Sequence, residues 1–431
     1  VRPTLRASAV DPFRRVAIPR DLTPLIGRSD REVDPESVGM TMESVERIWA
    51  SVRTLFRRGL NPAVTVCVRR QGQVVLDRSL GWARGAGPGE ARDAERVLAT
   101  PDTPFCVFST SKAITATLIH VLAERGTLHL GDRVADYLPE FAGSGRDAIT
   151  IEQVLSHRAG IPQIPQELMD LDRLADPDRL LEAIPLLRSR HKPGAAVAYH
   201  AISGGFVLAE VVRRATGADI RTVLAKEILD PLDFRWTNYG VNEADLPDVG
   251  VAYPTGLRAV PPLSTLMTRA LGVPVDELTR MSNDPRLLTG IVPSGNVVST
   301  AHELSRFMEL LCAGGTMDGV TVMSPRTIRR ALAETAYHEF DRTLGVPIRY
   351  SSGFMLGARA ISPFGPHTDE AFGHMGFTNI SAWADPRREL AVGLITSGKA
   401  VVGPHLDAVW RFARRVGVEA PRVAEPRLYQ S

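Results

Sequence analysis

Cysteine, lysine and aromatic residues are scarce in this chain. Its three cysteines, Cys67, Cys106 and Cys312, lie far apart, are odd in number and form no CxxC pair. They support neither a disulfide framework nor a zinc knuckle, and read as scattered small hydrophobes. Only four of the 51 basic residues are lysines (Lys112, Lys192, Lys226, Lys399), so a lysine in a suggestive place stands out. Aromatics make up 6%. No apolar run approaches the roughly 18 residues a membrane helix needs. A formal net charge of +2 is too small to argue for nucleic acid or an anionic membrane as partner. Several catalytic signatures are missing as well. G-x-S-x-G is absent, which removes the nucleophile elbow of the α/β-hydrolases. Also absent are H-E-x-x-H, clustered Cys/His ligands, the phosphate-binding G-x-x-x-x-G-K-[ST] and a strand-linked G-x-G-x-x-G, so no metal and no cofactor is expected.

What is present is ordinary globular composition: 44% hydrophobic and 23% charged residues in a chain of 431. That length fits one large composite domain or two. The first 35 or so residues are rich in Arg and Pro and contain no secretory apolar core, which places the protein in the cytoplasm as an expectation. Ser44 to Arg58 carries Val45, Ile48, Trp49, Val52 and Phe56 at helical spacing. Ala63 to Arg69 and Gln73 to Gly81 read as a hairpin turning at Gln71-Gly72. Residues 109 to 125 read as a helix stopped by Gly126. Residues 131 to 285 are helical and loop-rich. Further helices are expected at Ala301 to Leu311, Pro325 to Thr335 and 404 to 416, with strands at Gly353 to Ala358, Ile380 to Ala384 and Leu390 to Thr396. This order predicts an α+β fold: an antiparallel sheet built from both chain ends, flanked by helices and interrupted by a mostly helical lobe. The expected divisions are an extension at 1–37, a discontinuous sheet domain at 38–130 and 286–431, and a helical lobe at 131–285. Within that lobe, 240–285 is expected to be a lid-like loop lining an acyl or alcohol pocket, with Leu257, Val260, Leu263, Leu266, Met267 and Leu271 among its apolar residues.

Ser109-Thr110-Ser111-Lys112 places a serine and a lysine one helical turn apart. A serine hydroxyl needs a base, and a lysine serves if burial depresses its pKa. The apolar flanks Phe105, Val107, Phe108, Ala113 and Ile114 favour burial. A second match, Ser189 to Lys192, runs into Pro193-Gly194 and is discarded because a helix cannot hold both side chains on one face there.

Several ordered segments then carry a family resemblance from about residue 38 to 415. Phe108 to Lys112 resembles the S-x-x-K motif of the serine β-lactamase and penicillin-binding-protein superfamily, in its class C-like branch with the family VIII carboxylesterases. Leu128 to Pro139, Ile151 to Pro162, Pro193-Gly194 with Tyr199, Ser294 to Ala301, and Phe372 to Gly376 are similar to successive segments of that family. The resemblance implies Ser109 as acylated nucleophile, Lys112 as its base and Tyr199 as a second base. Tyr199 would need neighbouring cations to act as phenolate, with Lys112 and His374 as sources. The backbone N–H groups of Ser109 and Phe377 are the implied oxyanion hole. His374, Gly376 and His200 are the implied substrate contacts, Gly376 by permitting close backbone approach. Two positions depart from the family. Ala201 stands where the Y-x-N asparagine would be, and His374 where the K-T-G lysine would be. Both changes weaken recognition of an anionic, amide-bearing substrate. The resulting expectation is a serine carboxylesterase, or lipase, acting on small-molecule esters of short to medium acyl chain. A β-lactamase, a D-alanyl peptidase, an acyltransferase and a non-catalytic scaffold are the alternatives.

Overall fold

The computed structural model describes residues 11–91, 93–164, 171–174, 182 and 184–430. The hairpin forms as β2 (Ala63–Arg70) and β3 (Gln73–Arg84). Gln71 and Gly72 both take positive φ, 50° and 82°, the geometry a two-residue hairpin turn demands. Alternate side chains of β2 enter different cores. Val64, Val66 and Val68 join one cluster, while Ala63 and Cys67 join the other. A strand buried on both faces requires a layer on each side of the sheet.

One layer is α1 (Met42–Arg57), which presents Val45, Ile48, Trp49, Val52 and Phe56 to the sheet. Thr41 caps it by accepting the Ser44 amide. The segment after Ser109 supplies part of the other layer through α2 (Ser111–Glu124). The inserted lobe contributes α3 (Ser203–Thr216), α4 (Leu263–Leu271) and α5 (Val275–Met281). Next, α6 (Ala301–Cys312) lies against the sheet, and α7 (His405–Glu419) packs beside α1.

The main sheet is antiparallel throughout. Its strands also include β1 (Ile26–Arg28) and β4 (Val97–Leu98). Two short strands, β5 (Phe105–Cys106) and β6 (Asn238–Tyr239), pair instead with β7 (Val297–Ser299), and β8 (Thr316–Met317) pairs with β9 (Val320–Thr321). The C-terminal half adds β10 (Ala336–Phe340), β11 (Pro347–Tyr350), β12 (Met355–Leu356), β13 (Phe372–Gly376), β14 (Ile380–Asp385) and β15 (Leu390–Thr396). The order is β1-β3-β2-β15-β14-β13-β12-β11-β10, with β4 on β3. Both chain ends therefore meet at the β2–β15 pair, Val64 opposite Thr396. The α+β architecture is as expected.

Three differences from the sequence reading matter. Residues 26–28 pair with β3, so the segment read as an extension at 1–37 reaches into the sheet. Residues 240–285 are not a bare loop, since α4 and α5 occupy much of them. Finally, β10 and β11 were unforeseen, and the strand expected at Gly353 to Ala358 shrinks to β12.

Candidate active site

Pairing of β5 with β7 brings the segment before Ser109 beside the segment after Ser294. Ser109 sits in a 3₁₀ turn, Phe108–Thr110, that runs directly into α2. Phe108 holds φ at 49°, which costs about 1–3 kcal/mol for a residue with a side chain. Its surroundings fix it there. The Phe108 ring lies 5.5 Å from that of Phe377, and Lys399 Nζ sits 4.9 Å from its centroid. Ser111 ties the same turn down, donating to Phe108 O at 2.5 Å and accepting from Val297 N at 3.1 Å.

Lys112 Nζ makes three contacts: Ser109 Oγ at 3.1 Å, Ala201 O at 2.8 Å and Ser294 O at 2.9 Å. Burial pushes its pKa down to about 7. A neutral amine has two hydrogens and one lone pair. The two carbonyls accept the hydrogens, which leaves the lone pair facing the serine hydroxyl. Both carbonyls are held in place. Ser294 Oγ accepts from Gly205 N at 3.0 Å and donates to Ile202 O at 3.0 Å. Asn296 clamps the same turn through Leu287 O, Gly290 O and Val292 N.

Tyr199 is buried, and its hydroxyl is hydrogen-bonded to the Ser109 side chain. Burial raises its pKa, the Ser109 bond opposes this and Asp341 adds to it. The phenol therefore stays protonated at neutral pH, contrary to the phenolate expectation. Lys112 lies over the ring face, 4.9 Å from its centroid. Asp341, buried, accepts from Tyr199 N at 3.1 Å, Thr343 N at 2.8 Å and Leu344 N at 3.0 Å. It fixes Tyr199 and one wall of the cavity together.

His374 and His200 depart from their expected places as substrate contacts. His374 is 1% exposed, with Nδ1 2.7 Å from Met375 O and its pKa pushed down to about 3 by burial and by Lys112. It is neutral and supplies no cation to Tyr199. His200 has no exposed surface. Its Nε2 accepts from Ile161 N at 3.2 Å and its Nδ1 lies 3.4 Å from His157 Nδ1, so it braces the 157–161 turn. Neither histidine lines the cavity. Gly376 does line it, but the close approach it permits is to the protein's own backbone. A Cβ there would stand 2.4 Å from Val107 O.

The cavity over Ser109 measures about 410 Å³. Ser109, Tyr199, Ser294 and Phe377 border it, and α4 and α5 wall it with Leu263, Leu266, Met267, Leu271, Leu278 and Met281. None of the described residues lining it is charged. A larger open groove of about 1230 Å³ shares Ala201, Ile202, Ala270 and Leu271 with it but contains neither Ser109 nor Tyr199.

Among the described residues, one group has metal-ligand character: Cys67, Asp77 and His302, whose donor atoms lie within 4.8 Å of one another. Asp77 accepts from Arg31 Nε at 2.8 Å, and Arg69 Nη2 lies 3.1 Å from His302 Nε2. Two guanidiniums beside the carboxylate and imidazole already offset the charge a cation would meet, so the set fits a metal poorly. It does not border the cavity.

Sequence reasoning did not assign roles to Ser294, Asp341 or the Ala201 carbonyl. For Asp341 a signal existed, because Asp-Arg-Thr-Leu-Gly is turn chemistry with an aspartate that caps following amides. For the two carbonyls no residue type announces the role.

Comparison with known proteins identifies the family of the chain. The beta-lactamase family matches residues 52–413. The chain is 30% identical over 350 residues to the Esterase/beta-lactamase LipL of Mycobacterium tuberculosis, covering 77% of this chain and 76% of that one. It resembles the structure of a penicillin-binding protein homolog from Caulobacter crescentus with a TM-score of 0.75 and 28% identity, over 88% of this chain and 99% of that one. A family VIII carboxylesterase structure matches with a TM-score of 0.73 and 26% identity, over 87% and 98%. The serine–lysine–tyrosine cluster thus stands in a chain that belongs to the beta-lactamase family, whose esterase relatives support serine hydrolase activity here.

Proposed function

We propose that the protein is a carboxylesterase acting on uncharged esters through an acyl-enzyme on Ser109. The observation that carries this reading is the buried Lys112 Nζ, 3.1 Å from Ser109 Oγ and held by the Ala201 and Ser294 carbonyls. Ser109 Oγ attacks the ester carbonyl carbon while its proton passes to Lys112 Nζ. The tetrahedral oxyanion is received by the Ser109 and Phe377 backbone N–H groups. The proton then moves through the Tyr199 hydroxyl to the departing alkoxide, and the C–O bond breaks. Water attacks the acyl-enzyme, gives a proton to Lys112, and the acid leaves as Ser109 regains its hydrogen. Tyr199 works here as a neutral relay, in keeping with its raised pKa.

The uncharged cavity supports esters over β-lactams, which bring a carboxylate. Ala201 offers no side-chain amide partner, and His374 is buried and neutral. The test is hydrolysis of p-nitrophenyl esters from acetate to decanoate, with nitrocefin in parallel, by wild type and Ser109→Ala. The expected result is ester turnover that disappears in the variant, a preference for short to medium acyl chains set by the α4–α5 wall, and little nitrocefin hydrolysis. Faster nitrocefin turnover would favour the β-lactamase reading.

A further inference from the structure

We propose that the mouth of the cavity is a docking face for an anionic lipid surface, from which the protein draws its ester. The nature of the cargo rests on the esterase reading above, whereas the docking does not. Five apolar residues, Leu257, Val260, Leu266, Val346 and Val402, are 39% to 68% exposed. All adjoin segments that line the cavity. Leu266 lines it directly, and Val402 follows the lining residue Val401. Val346 follows Thr343 and Leu344, and a Cβ on the intervening Gly345 would stand 3.6 Å from Leu266 Cδ2. Val260 O accepts Ser264 N at 3.1 Å at the start of α4. Leu257 follows Gly256, which lies against Ala400 and the Val402 backbone.

These residues form one rim, continuous with an uncharged interior. A contiguous apolar rim left in water calls for a partner. Its charges say which. Arg258 is 80% exposed, and its partner Asp276, 3.7 Å away, is already paired to Arg14 at 2.7 Å. Arg342 is exposed beside the lining residue Thr343, and Arg269 is exposed on α4 where that helix borders the adjoining larger groove; neither bonds a carboxylate among the described residues. Positive charge around an apolar patch suits anionic headgroups over acyl chains. A second copy of the chain suits it less, because a two-fold contact would set the arginines against one another. The whole-chain charge of +2 conceals this local excess.

The test uses the full chain carrying Ser109→Ala, so that binding is scored without turnover. Vesicles of phosphatidylglycerol and phosphatidylcholine, and of phosphatidylcholine alone, are sedimented with it. Binding to the anionic vesicles is expected, weakened by salt. It should fall about tenfold or more with Val346→Asp and Val402→Asp together, and about fivefold for each of Arg269→Ala and Arg342→Ala. In the chain with Ser109 intact, none of these changes should alter hydrolysis of dilute p-nitrophenyl acetate. No binding to anionic vesicles, or equal binding by the aspartate variants, overturns the proposal. So does a dimer in solution that Val346→Asp dissolves. Loss of p-nitrophenyl acetate hydrolysis in the wild type would instead count against the esterase reading, leaving the vesicle result standing.

Discussion

Replacing Lys112 by methionine is expected to lower kcat/KM for p-nitrophenyl esters by about a thousandfold, within the range for removing a positioned general base. Methionine keeps the length and apolar contacts of the side chain and removes the amine. The wild-type profile of kcat/KM should rise with pH through about 7, where the buried amine loses its proton, and then level off. In the variant this limb should vanish. The variant should also gain stability where the wild type carries a buried cation. The lysine pKa is about 7 when folded and 10.5 ordinarily, so between those values the unfolded chain binds more protons. Stability therefore rises with pH across that window, and below about pH 7 the full cost of the buried cation applies. Lys112→Met should raise the melting temperature more at pH 6 than at pH 10. An inactive variant with no gain at pH 6 would mean that the amine is not desolvated as the structure shows. A variant with near-normal kcat would remove Lys112 as the base.

Gly376→Ala is the second large effect expected. The added Cβ would lie 2.4 Å from Val107 O, 2.9 Å from Ile380 Cβ and 3.0 Å from Ile380 Cγ2. A carbonyl and a β-branched side chain yield little, so β13 or the turn before Ser109 must shift. The two proposed oxyanion donors, Ser109 N and Phe377 N, follow directly on those two segments. A displacement approaching an ångström costs about a hundredfold in kcat, with a smaller change in KM. Gly131→Ala is the control, since a Cβ there meets nothing within 4 Å. Comparable kinetics for the two variants would show that the close contact of β13 with Val107 does not set the oxyanion geometry.

Much of this site was readable in the sequence because it rests on side-chain identity at fixed spacing. Ser109 and Lys112 stand one helical turn apart in a chain with few lysines, and Leu390 to Thr396 alternates between two cores as a buried strand must. Other parts were illegible for physical reasons. The carbonyls of Ala201 and Ser294 work through backbone atoms every residue possesses. His374 and His200 looked like site histidines because residue type does not report burial, and burial is what neutralises them. The edge strand β10 escaped notice because most of its residues face solvent and lack a core alternation. The apolar run at 257–275 signalled a pocket wall, but its helical spacing was overlooked, and α4 is the part that lines the cavity.

The measurement that bears most directly on the acyl-enzyme is mass analysis of the protein quenched during turnover of p-nitrophenyl butyrate, followed by peptide mapping. The expected result is a single butyryl group on the peptide containing Ser109. It should form and decay at rates that account for kcat, and be absent from Ser109→Ala. Steady turnover with no adduct, or an adduct on any other residue, would contradict the assignment of Ser109 as the nucleophile.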